Sequence, residues 1–286
     1  MMTDEVSADL ETALELASAW GLEGVELRGI GEKRFPAVSD LASQRTPTLI
    51  RRWDMRVAAI SPGLFKVPTP VPPPNETQIL RWEDSIVLAR HRDAEAVVAA
   101  HLEVLLPRSI QAAVELGAPT IVCFSFDRGH QEPAGVAPEL VIEALRRAAT
   151  EAGEAGLTLA LEVEHVCWAD VSSRARDIVE RVGHPALGLN WDPANAYRAG
   201  EDRPFPDGYD RVRDLVRHVH YKQASILPDG TRGFTAEGAI DWQGQVEALM
   251  RDAYDGWITV EPHVRPKVEG SRSALARLRR YMEMAQ

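Results

Sequence analysis

The sequence predicts an α/β protein whose chain forms a (β/α)8 TIM barrel with a truncated first strand. Two observations lead to this prediction. Amphipathic segments alternate with short apolar runs along most of the chain, and acidic or histidine side chains recur where those runs end. Such alternation is typical of a parallel sheet covered by helices, and eight units in about 250 residues form a closed barrel. We therefore expect one domain over residues 1–286.

Seven of the eight units can be recognised in order. Apolar runs predict strands at 24–28, 56–61, 120–126, 157–164, 186–192, 217–223 and 257–263. Amphipathic segments predict helices at 11–20, 109–116, 139–155, 174–182, 210–216 and 242–254. In five units a glycine separates the helix from the next strand, as expected at a helix end: Gly21, Gly117, Gly156, Gly183 and Gly256.

The remaining unit has almost no room. It would have to precede the helix at 11–20, and only Met1 to Thr3 is available there, so the first strand must be very short. A doubly wound open sheet is the alternative fold. It has less support, because no G-x-G-x-x-G pattern follows an early strand in this chain.

The acidic composition argues against nucleic acids and membranes as partners. The chain has 32 Lys and Arg against 43 Asp and Glu, a net charge of -11. Such a surface repels phosphate backbones and acidic membranes. We interpret the Arg-rich stretch SRSALARLRRYM, at 271–282, as the solvated face of a final helix.

Three features indicate a cytoplasmic location. No apolar run approaches the ~18 residues of a membrane span. The N-terminal segment MMTDEVSADL is acidic, unlike a signal peptide. Cys123 and Cys167 give neither a disulfide framework nor a zinc spacing. A homo-oligomer is left open by these features.

One segment interrupts the alternation of helices and strands. The stretch KVPTPVPPPNE, at 66–76, is too rich in proline for regular structure. It follows the strand at 56–61 on the side where barrel enzymes bind substrate. It is therefore either a wall or lid over a site, or a simple surface loop.

Metal-ligand side chains recur near the ends of four consecutive predicted strands. These are Glu162, Asp192, Glu261 and one of the two histidines His218 and His220. In a barrel these strand ends meet at one mouth. Three carboxylates and an imidazole would repel each other and lose hydration there without a cation between them. The sequence therefore predicts one divalent metal ion, Mn²⁺, Mg²⁺, Co²⁺ or Zn²⁺, among which the ligand types do not choose.

Longer stretches around these residues resemble the sugar phosphate isomerase/epimerase family of xylose-isomerase-like TIM barrels. The similar segments are TDEVSADLETALELASAWGLEGVELR, LALEVE, LNWDPANAY, HVHYKQ and GAIDWQGQVEALMRDAYDGWITVEPH. The resemblance implies a metal held by Glu162, Asp192, His220 and Glu261. His220 is favoured over His218 because the second histidine of the family's His-x-His-x-Lys pattern is the ligand.

The resemblance also implies the chemistry. It suggests an isomerase or epimerase of a sugar or sugar-like hydroxy-ketone that works through an enediolate, with Glu162 and Glu261 moving the proton. Asn195 stands where the sugar 3-epimerases have a substrate-binding His, and Gln223 where the family often has Asp. The substrate therefore stays open. A dehydratase of a keto-inositol or dehydroshikimate-like substrate is the alternative. A non-catalytic sugar-binding barrel is disfavoured by the intact ligand set.

Cations near the strand ends are candidate contacts to a small carbohydrate-like substrate. We expect four of them, together with the amide of Asn195, to bind it: Arg28, Lys66, Arg128 and Lys222. Arg presents a planar fork and Lys a point charge to an anionic or strongly hydroxylated ligand. The alternative is that they form salt bridges, for example Lys222 with Glu261 or Arg28 with Glu5.

Overall fold

A computed structural model describes residues 1–70, 95–129 and 135–285. Its main sheet has seven strands, all of whose neighbouring pairs are parallel. In order across the sheet they are β1 (Gly24–Leu27), β4 (Arg56–Leu64), β5 (Thr120–Cys123), β6 (Thr158–Glu162), β7 (Leu187–Trp191), β8 (Val216–Tyr221) and β11 (Ile258–Val260). Two small antiparallel hairpins complete the strands: β2 (Gly29–Ile30) with β3 (Lys33–Arg34), and β9 (Ala224–Ile226) with β10 (Arg232–Phe234).

The first two residues close the barrel between β1 and β11. The backbone N–H of Glu26 donates to the carbonyl of Met1 over 2.9 Å, and the N–H of Met2 donates to the carbonyl of Val260 over 3.1 Å. Met2 is also a parallel bridge partner of Glu26. The predicted TIM barrel with a truncated first strand is thus confirmed. That residues 1–286 form a single domain stays a prediction.

The helices pack around the sheet through apolar faces. Their bounds are Leu10–Ala19, Asp40–Arg52, Glu95–Leu116 with a π turn at His101–Leu105, Glu139–Glu154, Ser172–Val182, Pro193–Arg198, Tyr209–Val212, Trp242–Arg251 and Lys267–Met284. The first shows the pattern. Asp9 caps it by accepting from the N–H of Thr12, and Leu10, Ala13, Leu14 and Ala17 are buried. The final helix buries a stripe of small and apolar residues and exposes most of its arginines, as expected.

The sequence analysis missed the helix Asp40–Arg52. Pro47 lies inside it, and an interior proline normally predicts a break because it removes a backbone donor. Here the side chain of Ser39 accepts from the N–H of Ala42 at the start, and Leu49 and Ile50 are buried against the core. Capping and packing therefore override the unfavourable local signal.

The helix Glu95–Leu116 is long and apolar enough, by length and composition, to cross a membrane. The sequence analysis did not expect such a segment. One face of the helix, with Leu102, Leu106 and Ala113 buried, packs on the barrel. Its composition would also suit a membrane span, but in this fold the segment is a helix that packs on the barrel strands. The cytoplasmic location stays a prediction.

The proline-rich segment is described only at its beginning. Val67 accepts a hydrogen bond from the N–H of Asp127, and the N–H of Thr69 donates to the carbonyl of Asp127, both over 2.8 Å. This start therefore runs beside the chain that follows β5. The predicted wall or lid falls mainly on 71–76, outside the described residues.

Candidate active site

The four predicted metal ligands meet at the carboxyl ends of neighbouring strands. Glu162 ends β6, Asp192 follows β7, His220 lies in β8 and Glu261 follows β11. One ligand atom from each lies within 4.8 Å of the others, and all four side chains are buried. The sequence therefore placed at one mouth the residues that the structure brings together.

Asp192 has its position because a helix begins directly after its strand. Pro193 is the first residue of the helix Pro193–Arg198, where its missing N–H costs nothing. The Oδ1 atom of Asp192 caps that helix by accepting from the N–H of Asn195 over 2.9 Å. Its Oδ2 atom accepts from Asn195 Nδ2 over 3.0 Å and lies 2.8 Å from Lys222 Nζ. Burial raises the pKa of Asp192, although Lys222 opposes the shift.

His220 presents its two ring nitrogens to different carboxylates. Its Nδ1 atom lies 3.2 Å from Glu261 Oε2 and 3.7 Å from Glu162 Oε1. Its Nε2 atom lies 3.2 Å from both oxygens of Glu26. Burial lowers the pKa of His220, but Glu26, Glu162 and Glu261 together raise it well above its usual range. The Nδ1 atom is therefore the one that faces the ligand cluster.

Glu26 is the residue that the sequence analysis overlooked. It lies fully buried in β1, and its Oε2 atom is 2.8 Å from His218 Nε2 while both oxygens reach His220. Burial raises the pKa of Glu26, but His220 and His218 lower it well below its usual range. The available signal was a carboxylate inside GVEL, a strand whose four residues are all buried. A carboxylate on the far nitrogen of a ligand histidine fixes the ring and its tautomer.

This contact gives a testable expectation for Glu26. Glu26→Gln keeps the side-chain shape but removes the charge that holds His220. We expect the affinity for Mn²⁺ to fall about 10- to 100-fold, the usual effect of losing such an outer partner. Calorimetric titration of chelator-treated protein measures it, with the exposed Glu23→Gln as the matched control. Equal affinities of the two variants would show that Glu26 serves the fold alone.

Lys222 is buried and bridges two of the predicted ligands. Its Nζ atom lies 2.8 Å from Asp192 Oδ2 and 2.6 Å from Glu261 Oε2, and 4.7 Å from the centre of the Phe234 ring. Burial lowers the pKa of Lys222, but Asp192 and Glu261 outweigh it and raise the pKa above its usual range. The ammonium is therefore charged, and it offsets part of the carboxylate charge around it.

Arg28 is held by three carboxylates. Its Nε atom lies 3.0 Å from Asp4, its second amino group lies 2.6 Å from Glu5 Oε1, and its first contacts Glu261 Oε1. His263, which the sequence analysis did not single out, joins the same cluster through Nδ1, 2.8 Å from Glu5, and Nε2, 3.3 Å from Glu261. The salt-bridge alternatives weighed for Arg28 and Lys222 are both present. Their binding of substrate stays a prediction.

The other predicted substrate contacts also have protein partners. Asn195 Nδ2 donates to Glu162 Oε1 over 3.3 Å as well as to Asp192. Lys66 Nζ lies 2.6 Å from Glu164 Oε2 and over the ring of Phe124. The remaining cation, Arg128, contacts Asp170 Oδ2 at 3.1 Å and the carbonyl of His165. Whether any of them binds a substrate stays a prediction.

A polar cleft of about 280 Å³ opens beside the ligand cluster. Its wall includes Arg28, Lys66, Phe124, Glu162 and Glu261, which come from the ends of different strands or the turns that follow them. A substrate in this cleft would therefore lie against two of the four predicted ligands. Two larger cavities of the described chain are lined by none of these residues.

The donor set fits a divalent cation. Glu162 is only 4% exposed, and in the described chain it has no lysine or arginine within 4 Å. Its hydrogen bonds in the described chain are two long ones from the side-chain amides of Asn190 and Asn195, at 3.4 and 3.3 Å. The Nδ1 atom of His220, a ring that Glu26 and Glu261 also contact, lies 3.7 Å from its Oε1 atom. Such contacts leave the charge of a buried carboxylate poorly compensated. A cation held between Glu162, Asp192, His220 and Glu261 would supply the missing charge.

Comparison with known proteins agrees with this architecture. A family model described as xylose isomerase-like TIM barrel matches residues 14–281. A curated relative, a ketose 3-epimerase of Arthrobacter globiformis, is 29% identical over 174 residues, which cover 58% of this chain. That match spans 56% of the relative, so the chain matches just over half of its length.

Solved structures of low sequence identity share the fold. D-allulose 3-epimerase from Methylomonas sp., in complex with D-allulose, has a TM-score of 0.69 at 17% identity, covering 98% of this chain and 95% of that one. A xylose isomerase-like TIM barrel protein from Mycobacterium smegmatis, in complex with magnesium, has a TM-score of 0.67 at 17% identity, and the match covers 99% of this chain and 91% of that one. A probable 3-DHS dehydratase from Bacillus anthracis has a TM-score of 0.65 at 15% identity, and the match covers 98% of this chain and 97% of that one.

Proposed function

The chain belongs to the xylose isomerase-like TIM barrel family, and we propose that it is a metal-dependent isomerase or epimerase of a sugar or sugar-like hydroxy-ketone. One observation carries the proposal: three buried carboxylates and one imidazole place ligand atoms within 4.8 Å of each other at the mouth of the barrel. The similarity to a ketose 3-epimerase supports the same reaction class.

Glu162, Asp192, His220 and Glu261 would hold one divalent ion. When bound, such an ion supplies Lewis-acid polarisation of a substrate carbonyl, which makes the neighbouring C–H more acidic. The donors are three carboxylates and one nitrogen, a set compatible with Mn²⁺, Mg²⁺, Co²⁺ or Zn²⁺. Glu26 would keep the His220 ring in place for this role.

Proton transfer falls to the two glutamates at the edges of the cluster. Glu162 ends β6 and Glu261 follows β11, so the two glutamates flank Asp192 and His220 in the order of the sheet. Glu162 has no lysine or arginine partner in the described chain, only the amides of Asn190 and Asn195 and the His220 ring at 3.7 Å, and we assign it the role of base. Lys222, His220, His263 and Arg28 outweigh burial and lower the pKa of Glu261 well below its usual range, which makes Glu261 a weaker base held in a fixed position.

Lys222 can stabilise the oxygen that gains charge as the enediolate forms. An ammonium has three N–H donors, and the Nζ atom of Lys222 is ion-paired with Asp192 and Glu261. A donor directed away from these two carboxylates could bind a substrate oxygen. Phe234 covers the ammonium at 4.7 Å, which limits the access of water to it and strengthens the interaction.

A dehydratase is the second candidate. The same enediolate could expel a β-hydroxyl from a keto-inositol or dehydroshikimate-like substrate, with a proton delivered to the leaving oxygen. The ammonium of Lys222, which its raised pKa keeps charged, could stabilise the leaving oxygen electrostatically, and the fold is shared with a probable 3-DHS dehydratase. A non-catalytic sugar-binding barrel is less well supported, because every residue of the ligand set is present.

One experiment separates the candidates. Protein loaded with Mn²⁺ or Mg²⁺ is incubated in D₂O with a panel of ketoses, keto-inositols and sugar acids, and the products are followed by NMR and ultraviolet absorbance. An isomerase or epimerase places solvent deuterium on a substrate carbon, whereas a dehydratase forms a conjugated product that absorbs in the ultraviolet. Binding of sugars without either change would favour the non-catalytic barrel. Glu162→Gln serves as the inactive control.

A further inference from the structure

Arg34 lies in the same cleft as Glu162 and Glu261, on the second strand of the hairpin that follows β1. Its side chain crosses Gly63 near the end of β4. A Cβ atom at Gly63 would lie 2.9 Å from Arg34 Cδ and 3.3 Å from its Nε, and Gly63 has a φ of +77° that other residues rarely adopt. The chain therefore leaves room at this strand end for the guanidinium stem.

Arg34 differs from the other cations of the cleft. Arg28 contacts three carboxylates and Lys66 contacts Glu164, whereas in the described chain no carboxylate lies within 4.0 Å of Arg34. Within the described residues its guanidinium makes one hydrogen bond, a long one of 3.4 Å to the carbonyl of Ser61. Most of its five N–H donors are thus open to the cleft.

The surroundings make this arrangement costly. Burial and the nearby charge of Arg28 lower the pKa of Arg34, and the more distant carboxylates Glu162, Asp4 and Glu261 only partly oppose this shift, although a guanidinium keeps its proton at any physiological pH. A half-buried cation without an ion-pair partner loses hydration, and one long hydrogen bond to a carbonyl replaces only part of it. An anion from solution would remove that cost.

The carboxylates of the cleft have other partners. Asp4 is paired with Arg28, Glu164 with Lys66 and His165, and Glu261 with Arg28 and Lys222. Glu162 is the remaining one, and in the proposed function it holds the metal. Once the ion is bound, none of these carboxylates requires the charge of Arg34.

We propose that Arg34 binds an anionic group of the substrate, a carboxylate or a phosphate, so that the substrate is a small anionic hydroxy-ketone and not a neutral sugar. The inference rests on the proposed function, which places the reacting end of the substrate at the metal ligands. The position of Arg34 in the cleft places the anionic end of the substrate. A guanidinium binds both oxyanions through two parallel hydrogen bonds. The volume of about 280 Å³ fits a short substrate.

Direct binding of simple anions tests the proposal. Glycolate and inorganic phosphate are titrated calorimetrically into the Mg²⁺-loaded wild type, Arg34→Gln and Arg34→Lys, with Arg51→Gln as the control. Arg51 is an exposed arginine whose side chain contacts Thr48 of its own helix. We expect Arg34→Gln to weaken binding of at least one anion about 10- to 100-fold, Arg34→Lys to weaken it less, and Arg51→Gln to leave it unchanged.

The pattern identifies the anionic group. Dependence of glycolate binding alone on Arg34 indicates a carboxylate, and dependence of phosphate binding alone indicates a phosphate. If neither anion binds the wild type at millimolar concentration, or if Arg34→Gln binds both as the wild type does, the proposal is overturned. Circular dichroism of each variant shows that it is folded.

Measuring substrate conversion together with anion binding distinguishes failure of this proposal from failure of the proposed function. If anion binding depends on Arg34 but no hydroxy-ketone is converted, the anion subsite stands and the isomerase proposal fails. If neutral ketoses are converted with the same kcat/KM by the wild type and Arg34→Gln, and anion binding does not depend on Arg34, the isomerase proposal stands and the anion subsite is rejected.

Discussion

Glu162→Gln is expected to lower kcat at least ~10²-fold, the scale of losing a general base. The amide keeps the size of the side chain but cannot accept the proton from the substrate carbon. Because Glu162 has no lysine or arginine partner in the described chain, its loss leaves no cation unpaired, and we expect the variant to fold normally. Washout of deuterium from a labelled substrate carbon measures the step directly.

Glu261→Gln is expected to lower kcat as much as Glu162→Gln does, but for two reasons: the loss of a proton-transfer group and the loss of ion pairs. It removes a carboxylate that contacts Arg28, Lys222 and His220. Breaking a buried ion pair on one side typically costs about 3–5 kcal/mol of folding free energy. We therefore expect a lower Tm for Glu261→Gln and an unchanged Tm for Glu162→Gln. The exposed Glu269→Gln is the control for both.

The pair of variants can contradict the assignment of roles. A Glu162→Gln protein that keeps more than a tenth of wild-type turnover, with its metal still bound, would show that Glu162 is only a ligand. Turnover lost together with the metal would leave the base unidentified, so metal content is measured on the same samples. The comparison of kcat at matched metal loading decides between the two roles.

The clustering of Glu162, Asp192, His220 and Glu261 was predictable because these residues share a position that the sequence shows. Glu162, Asp192 and Glu261 each come at or just after the end of an apolar run, and strand ends of a barrel converge. The proline after Asp192 marked the end of the strand without any knowledge of the helix that it begins. Local patterns of this kind depend on neighbours within a few residues, which a single sequence contains.

The partners of these ligands could not be found in the same way. Glu26 and His218 are 192 positions apart in the chain, and no local pattern connects them. Arg34 stands out because no carboxylate of the described chain lies within 4.0 Å of it. This is a property of the folded chain, and no sequence motif shows it. No sequence pattern favours Arg34 over Arg28 or Arg128, whose charges the fold neutralises with Asp4, Glu5 and Asp170.

Substitution of His220 is expected to have the second large effect, a loss of metal binding that substitution of His218 does not cause. His220→Ala is expected to abolish stoichiometric metal binding, because Nδ1 of His220 is the only nitrogen of the four-residue ligand cluster. His218→Ala should keep the metal, since Nε2 of His218 faces Glu26 at 2.8 Å and the residue lies outside that cluster. Both rings are buried, so both variants lose packing and each serves as the stability control for the other.

Metal content after reloading gives the readout. Each variant is stripped with a chelator, reloaded with Mn²⁺, passed over a desalting column and analysed for metal per chain. We expect His218→Ala to retain close to the wild-type content, with at most the loss of about 10- to 100-fold in affinity that an outer contact brings. His220→Ala should retain almost none. The reverse result, with metal lost from His218→Ala and kept by His220→Ala, would move the ion toward Glu26 and the barrel axis, where Glu26, His218 and His220 form a second group of closely spaced ligand atoms.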